Sequence, residues 1–338
     1  MQQGELLKDL ENANIRCYYY NKRPTNGKKV INKVVRKLQG FENYLEHQLI
    51  EIHKEFQPDF WYLNTLLVSP MLHAALKYKI DFVVHFHEMP TYGYPVIGAD
   101  ELSDLVTESV FTVGCSEIVC EGLRTLGSPN VKKQYECIDT TEIDQYLRDS
   151  SNFRERLRLQ SEATIVIGMS GTRDVRKGVD LFIKTAEFLR DKDVHFVWLG
   201  KSNQTGYDFY CDQYIKAKKL TNITFICPSP QDYYRYFNSI DIFFLSSRED
   251  PFPLVMLEAA YLDKFIIAFD SGGVTELLKE EQGFVVEQQD ASMAAQAISD
   301  AIETKSYQQH ERINVFKYSA LEQMREFESL LETFYTDR

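Results

Sequence analysis

From Thr164 to Glu303 short apolar runs alternate with longer amphipathic stretches, and few architectures accept that pattern. The runs 164–169, 195–199, 223–227, 242–245, 265–269 and 284–286 are continuous rather than alternating, as expected of strands covered on both faces. The stretches between and after them, 179–190, 208–220, 231–238, 253–262, 274–278 and 291–303, read as helices. Six strands joined by helical crossovers describe a parallel doubly wound sheet, an α/β unit of the kind that holds nucleotides at the carboxyl edge of its strands.

The first half repeats the scheme less regularly. Helices are expected over 5–13, 69–78, 101–109 and 116–126, and strands over 15–20, 60–63, 79–85, 110–114 and 135–138. It starts in the second half of a β–α–β unit whose first strand is absent. At 338 residues the chain exceeds the size at which one core keeps growing, and a hydrophobic share of 44% supplies two cores. The expected domains are 1–143, 144–318, and a closing helix 319–338 whose stripe of Leu321, Met324, Phe327, Leu330, Leu331 and Phe334 packs back on the first domain.

Charge narrows the partners. A formal net charge of -12 gives no basic face for nucleic acid. No apolar run spans a bilayer and the first residues form no signal peptide, so a cytoplasmic protein is expected. Between residues 21 and 37, however, seven basic residues and no acid accompany Val30, Ile31, Val34, Val35, Leu38 and Phe41 at helical spacing. Segment 22–41 is either a peripheral contact with anionic lipid or a sheet-covering helix with a solvated basic face. The six cysteines are scattered without a Cys-x2-Cys pair, and read as reduced structural thiols rather than zinc ligands.

Chemistry gathers in 243–276. Asp250 stands where a strand hands over to a helix, beside N–H groups that the helix leaves unpaired, and Glu258 is about a turn and a half further on. Free N–H groups suit a phosphate and carboxylates accept hydrogen bonds from hydroxyls, a combination that describes a nucleotide sugar. The bland alternative makes Asp250 a helix cap and Glu258 a solvated acid. The turn 168–178 brings small residues, Gly171 and Thr172 among them, together with the cations Arg173, Arg176 and Lys177, a loop able to neutralise a diphosphate. Gly200 follows the next strand and Cys227 ends the one after, where backbone groups could edge a nucleotide and its base. In the first half His85 and His87 fall on one side of a strand, with His87 just past its end; no third ligand at metal spacing accompanies them. Asp191-Lys192-Asp193 lies in a turn where charges are routine.

Asp250-x7-Glu258, the following Ala259-Ala260, a strand and Gly272-Gly273-x-x-Glu276 resemble the E-x7-E region of the retaining GT-B glycosyltransferases of glycosyltransferase family 4. The resemblance implies two Rossmann-like domains facing a cleft, with the last helix crossing back. It implies that Asp250, or Glu249 beside it, holds the donor sugar, that Glu258 holds the ribose, and that Pro251 and Phe252 flank the donor. The family grips the diphosphate with an Arg and a Lys; Lys177-Gly178 matches, Thr172 occupies the Arg position, and Arg173 is the expected stand-in ahead of Arg176. His87 corresponds to a His close to the transferred sugar, Cys115-Ser116-Glu117 to a strand-to-helix "S-E" turn, and Glu136-Cys137-Ile138-Asp139 to the segment before the linker. The absent first strand would end, in the family, in a glycine-rich loop.

The implied activity is transfer of a sugar, with retention, from a nucleoside-diphosphate sugar (a UDP-sugar foremost) to a hydroxyl of a carbohydrate or lipid-linked acceptor in surface polysaccharide or glycolipid assembly, without a metal or other cofactor. A nucleotide-sugar epimerase or hydrolase of the same fold is one rival. A non-catalytic nucleotide-binding subunit is the other, motivated by the absent strand, Thr172 and Asp250.

Overall fold

The computed structural model describes residues 6–18, 41–148, 153–157, 159, 161–278 and 283–336. Its strands are β1 Trp61–Leu63, β2 Phe82–Phe86, β3 Thr112–Gly114, β4 Val131–Lys133, β5 Ile165–Ser170, β6 Val194–Leu199, β7 Ile223–Ile226, β8 Ile242–Leu245, β9 Phe265–Phe269 and β10 Gly283–Val286. The helices of the first half are α1 Leu6–Asn12, α2 Phe41–Phe56, α3 Ser69–Tyr78, α4 Gly93–Ile97, α5 Ala99–Thr107, α6 Glu117–Thr125 and α7 Thr140–Leu147. Those of the second are α8 Val179–Phe188, α9 Gly206–Lys218, α10 Pro230–Asn238, α11 Leu254–Tyr261, α12 Ala291–Glu303, α13 Ser306–Gln309 and α14 Ala320–Thr336.

The second sheet is parallel with strand order β10-β9-β8-β5-β6-β7. β6, β8 and β9 are buried along their whole length, which is why their sequences are unbroken apolar runs. Phe182 of α8 docks on this sheet by meeting Phe196 and Trp198 edge-on at 5.2 and 5.3 Å. From β5 the chain moves outward through β6 and β7, then returns to lay β8, β9 and β10 on the other side. The order therefore reverses between β5 and β8, and the loops leaving their carboxyl ends border one crevice.

One expected helix fails. Residues 274–278 hold a 3-10 turn, Gly273–Glu276, in place of a helix. The glycine turn before it is wedged against the chain at Asp250: a Cβ on Gly272, whose φ is 142°, would lie 2.3 Å from the Asp250 carbonyl oxygen.

The first sheet is parallel with order β1-β2-β3-β4. Its fourth strand lies at Val131–Lys133, not at 135–138. Those residues are used elsewhere: next to the buried Gln134, whose amide donates to Gln323 Oε1 at 2.6 Å, Tyr135 lies near Phe252 at 4.9 Å and Ile138 bridges to Ser319. Of the strand expected over 15–20, residues 15–18 pair with no other strand, and the remainder lies outside the described residues. The basic segment 22–41 also lies outside them, apart from Phe41, which opens α2.

Further contacts join the halves. Ile138 N–H donates to the Tyr318 carbonyl and Ala320 N–H to the Ile138 carbonyl, both at 3.0 Å. α14 then crosses the first sheet, with Phe327 edge-on to Tyr62 at 5.4 Å and Leu330 against Val83, Phe111 and Val113. The expected stripe on this helix starts late, because Leu321 and Met324 are exposed and the buried side chain of the first turns is Gln323. Finally Glu276 of the second half accepts the Glu117 N–H at 2.7 Å and the Tyr135 hydroxyl at 2.9 Å. A carboxylate thus satisfies a free N–H at the start of α6. No helix among the described residues is long and apolar enough to cross a membrane.

Candidate active site

Between the two sheets lies a cavity of about 470 Å³. The first half lines it with Leu67, His87, Glu88, Met89, Tyr92 and Glu136, the second with Arg176, Lys177, Glu249, Asp250 and the run from Pro251 to Val255.

The loop after β5 is folded by its own residues. Asp174 Oδ1 accepts the Lys177 N–H at 2.8 Å, and Ser246 Oγ donates to the Lys177 carbonyl at 3.0 Å. Gly178 has a φ of 71°, and a Cβ there would fall 1.9 Å from the Ser246 carbonyl oxygen, so no other residue lets these two loops touch. Lys177 Nζ consequently meets Asp250 Oδ2 at 2.5 Å. Asp250 also accepts from Ser247 Oγ at 3.0 Å, has Arg176 at 3.7 Å from its other oxygen, and is only 5% exposed. Asp250 does not cap the following helix. The N-cap of α11 is Pro253, with no side chain bonded to the free amides, so the helix mouth at Leu254 and Val255 faces the cavity without a side-chain cap. Glu249 lines the same wall, and its carbonyl accepts from Arg176 at 3.1 Å.

His87 closes the site from the other side. Its Nδ1 donates to Glu136 Oε1 at 2.5 Å and its Nε2 lies 2.7 Å from Asn64 Oδ1. Burial pulls its pKa down, but the Glu136 carboxylate outweighs that by hydrogen bond and charge, with Glu88 adding to it, and the net shift is upward. The neighbouring His85 ring, 4.1 Å away, is driven the opposite way, to about 3, by burial and by His87.

Several expected residues stand elsewhere. Arg173, the expected stand-in for the diphosphate arginine, is buried and turned toward α9: it reaches Asp212 at 2.6 Å and Asp208 at 3.3 Å, and its guanidinium lies 4.1 Å over the Phe225 ring. The cause is local, since the Arg173 backbone bridges to Ser202 and its side chain leaves the loop on the β7 side. Arg176, ranked behind it, is the arginine at the cavity. Gly171, Thr172, Gly200 and Cys227 are not on the cavity wall. Gly171 and Gly200 instead pack backbone to backbone, with a Cβ on Gly200 falling 1.9 Å from the Gly171 carbonyl oxygen. All six cysteines are free and Cys227 is exposed. Pro251 and Phe252 do line the cavity, Phe252 wedged between Tyr135 and Tyr318.

Glu258 lies one turn beyond the cavity wall on α11. Its oxygens accept from the Tyr233 hydroxyl at 2.7 Å and the Tyr234 hydroxyl at 3.1 Å. Burial pushes its carboxyl up to about 7 against the two hydrogen bonds, which lower it. Glu136, Asn64 and the two tyrosines are site neighbours that spacing along the chain did not expose. Among the described residues no cluster of three or more His, Cys, Asp or Glu side chains could hold a metal ion.

Two Rossmann-like units facing a cleft are the architecture of the GT-B glycosyltransferases, and solved structures of that class overlay on most of the chain. HepE of Anabaena in complex with UDP-glucose matches with a TM-score of 0.79 at 18% identity, over 98% of this chain and 89% of that one. A glycosyltransferase of Rickettsia africae gives 0.72 at 16%, over 99% and 89%, and sucrose-phosphate synthase of Thermosynechococcus elongatus 0.67 at 15%, over 93% and 81%. No curated protein matches. The sequence profile of the family described as "Glycosyl transferases group 1" matches residues 149–318, half of the chain. The chain belongs to that family and is a glycosyltransferase.

Proposed function

We propose that this glycosyltransferase is a retaining enzyme of family 4 that moves a sugar from a nucleoside-diphosphate sugar, a UDP-sugar foremost, to an acceptor hydroxyl. The observation that carries the reading is the convergence of Lys177, Arg176 and Asp250 on the same cavity as His87, each at the carboxyl edge of its own sheet. HepE, which shares the fold, binds UDP-glucose.

The diphosphate would lie at the uncapped mouth of α11, with Lys177 and Arg176 taking up its charge as the bond to the sugar breaks. Lys177 is held on Asp250 beforehand and so starts near its place. Asp250, with Glu249 beside it, would orient the sugar hydroxyls, and His87 with Glu136 would face the sugar from the acceptor side. The bond from the anomeric carbon to the phosphate oxygen breaks, the bond to the acceptor oxygen forms on the same face, and the acceptor proton passes to the departing diphosphate. None of these steps asks for a metal. The acceptor class proposed is a carbohydrate or lipid-linked hydroxyl in surface polysaccharide or glycolipid assembly.

The test is calorimetric binding of UDP, GDP, ADP and dTDP to the intact chain, followed by an acceptor screen with the matching sugar and NMR assignment of the product anomer. Tight binding of one nucleotide and a product that keeps the donor configuration support the reading. An inverted product, or release of free sugar without transfer, overturns it.

A further inference from the structure

The carboxylate of Glu258 is already engaged, and the two groups that engage it are unequal. Tyr233 and Tyr234 are consecutive on α10, and each offers its hydroxyl to a different oxygen of Glu258. Tyr233 makes the shorter bond, 2.7 Å, and its oxygen also lies 2.9 Å from Ser170 Oγ at the end of β5. Because its proton goes to Glu258, the Ser170 hydroxyl donates to it. Its ring meets Phe237, a fully buried side chain, edge-on at 5.7 Å. Tyr234 makes the longer bond, 3.1 Å, and its ring lies 6.0 Å from that of Tyr146 of α7 at an interplanar angle of 29°; both tyrosines are half-buried.

Glu258 also shares a helix face with the cavity wall, since Leu254 and Val255 line the cavity and precede it by four and three residues. A vicinal diol binds a carboxylate by donating one O–H to each oxygen. A phenol O–H is the same kind of donor, so a tyrosine hydroxyl on Glu258 can hold an acceptor position that a ribose hydroxyl would use.

We propose that Tyr234 is this stand-in, displaced from Glu258 when the nucleotide arrives, and that Tyr233, backed by Ser170, is a positioning residue that keeps the carboxylate aimed at the ribose. The proposal rests on the reading that Glu258 holds the ribose. Removing the Tyr234 hydroxyl removes a competitor, whereas removing the Tyr233 hydroxyl loosens the carboxylate itself, so the two conservative changes move affinity in opposite directions.

The experiment measures binding of UDP, GDP and ADP, and of their 2′-deoxy counterparts, to the wild-type chain and to Tyr234→Phe, Tyr233→Phe, Ser170→Ala and Glu258→Ala, with thermal unfolding as a check on folding. Tyr234→Phe should tighten the ribonucleotide by roughly two- to ten-fold, the range expected for one net hydrogen bond, and widen its preference over the deoxy form. Tyr233→Phe should weaken binding and narrow that preference, and Ser170→Ala should do the same to a smaller degree. If Glu258→Ala weakens binding while Tyr234→Phe leaves it unchanged or weaker, the stand-in is overturned and the ribose assignment stands. If Glu258→Ala changes nothing, or no nucleotide binds to wild type or Tyr234→Phe, the ribose assignment and the proposal fall together.

Discussion

The two sheets are built from the same parallel unit, yet they meet the cavity in different ways. In the second sheet the strand order reverses between β5 and β8, so two loops, one carrying Lys177 and the other Asp250, leave the sheet side by side and interlock through Gly178 and Ser246. In the first sheet β1 to β4 follow in order among the described residues, and no reversal opens a crevice between them. That sheet supplies a wall, with His87 just beyond β2 and Glu136 beyond β4 reaching each other across 49 residues. Reversal of strand order makes a pocket inside one domain, whereas a sheet without it can contribute only by facing another.

Under the proposed reading the second half handles the diphosphate charge and holds the sugar hydroxyls while the first half faces the sugar as a wall, and four experiments can break that division. The largest effect is expected at the interlocked loops. Lys177→Ala should lower turnover by about 10²- to 10³-fold, the usual loss when a preorganised charge at a developing anion is removed. It should also lower the melting temperature, because it takes from the buried Asp250 carboxylate its closest cation. Turnover within a few-fold of wild type would place the diphosphate elsewhere.

Next comes the opposite wall. His87→Ala should reduce transfer by at least about ten-fold while nucleotide affinity in calorimetry stays within about two-fold, since in the proposed reading His87 faces the sugar and not the nucleotide. A large loss of nucleotide affinity would show that the first half shares the nucleotide site.

The two arginines of the β5 loop sharpen the point. Arg176→Ala should weaken nucleoside diphosphate binding by roughly ten-fold with unchanged thermal unfolding, the order of one charge-assisted contact. Arg173→Ala should do the reverse, lowering the melting temperature as Asp208 and Asp212 lose their shared guanidinium, while nucleotide affinity is kept. Equal behaviour of the two variants would contradict their opposite orientations.

The smallest effect is a slope. Glu258 ionises near pH 7 in the folded chain against an ordinary value of 4.5, so between these values the folded state holds a proton that the unfolded state has released. This group therefore makes stability fall as pH rises from about 4.5 through 7. Glu258→Gln should flatten that part of the profile of melting temperature against pH, and an unchanged slope would mean that the carboxyl is ionised throughout. With the carboxylate as the ribose acceptor, wild-type nucleotide affinity should also rise as pH passes through about 7.

What was legible in the sequence follows the same division. β8 and β9 could be placed to the residue, because strands buried on both faces must be apolar at every position. β4 could not: it is Val-Lys-Lys, half-exposed at the sheet edge, and the more apolar 135–138 drew attention four residues downstream. Asp250, Lys177 and His87 could be placed near the cavity because each lies in the segment that leaves the carboxyl end of a strand, and strand ends can be found from hydrophobic runs. The choice between Arg173 and Arg176 was not readable, since it turns on which way a loop bridged at Ser202 points its side chains. The Glu136 partner of His87 and the tyrosines on Glu258 are tertiary pairings, and spacing along the chain carries no trace of them.

The backbone bridge at Ile138 and Ser319 brings the outgoing and returning chains together at the boundary between the halves. Glu276 ties those halves a second time, at the start of α6. α14, continuous with the second half at Ser319 and seated on the first sheet through Phe327 and Leu330, is a further tie, so shearing one half across the other has to unseat this helix or break the pairing at Ile138.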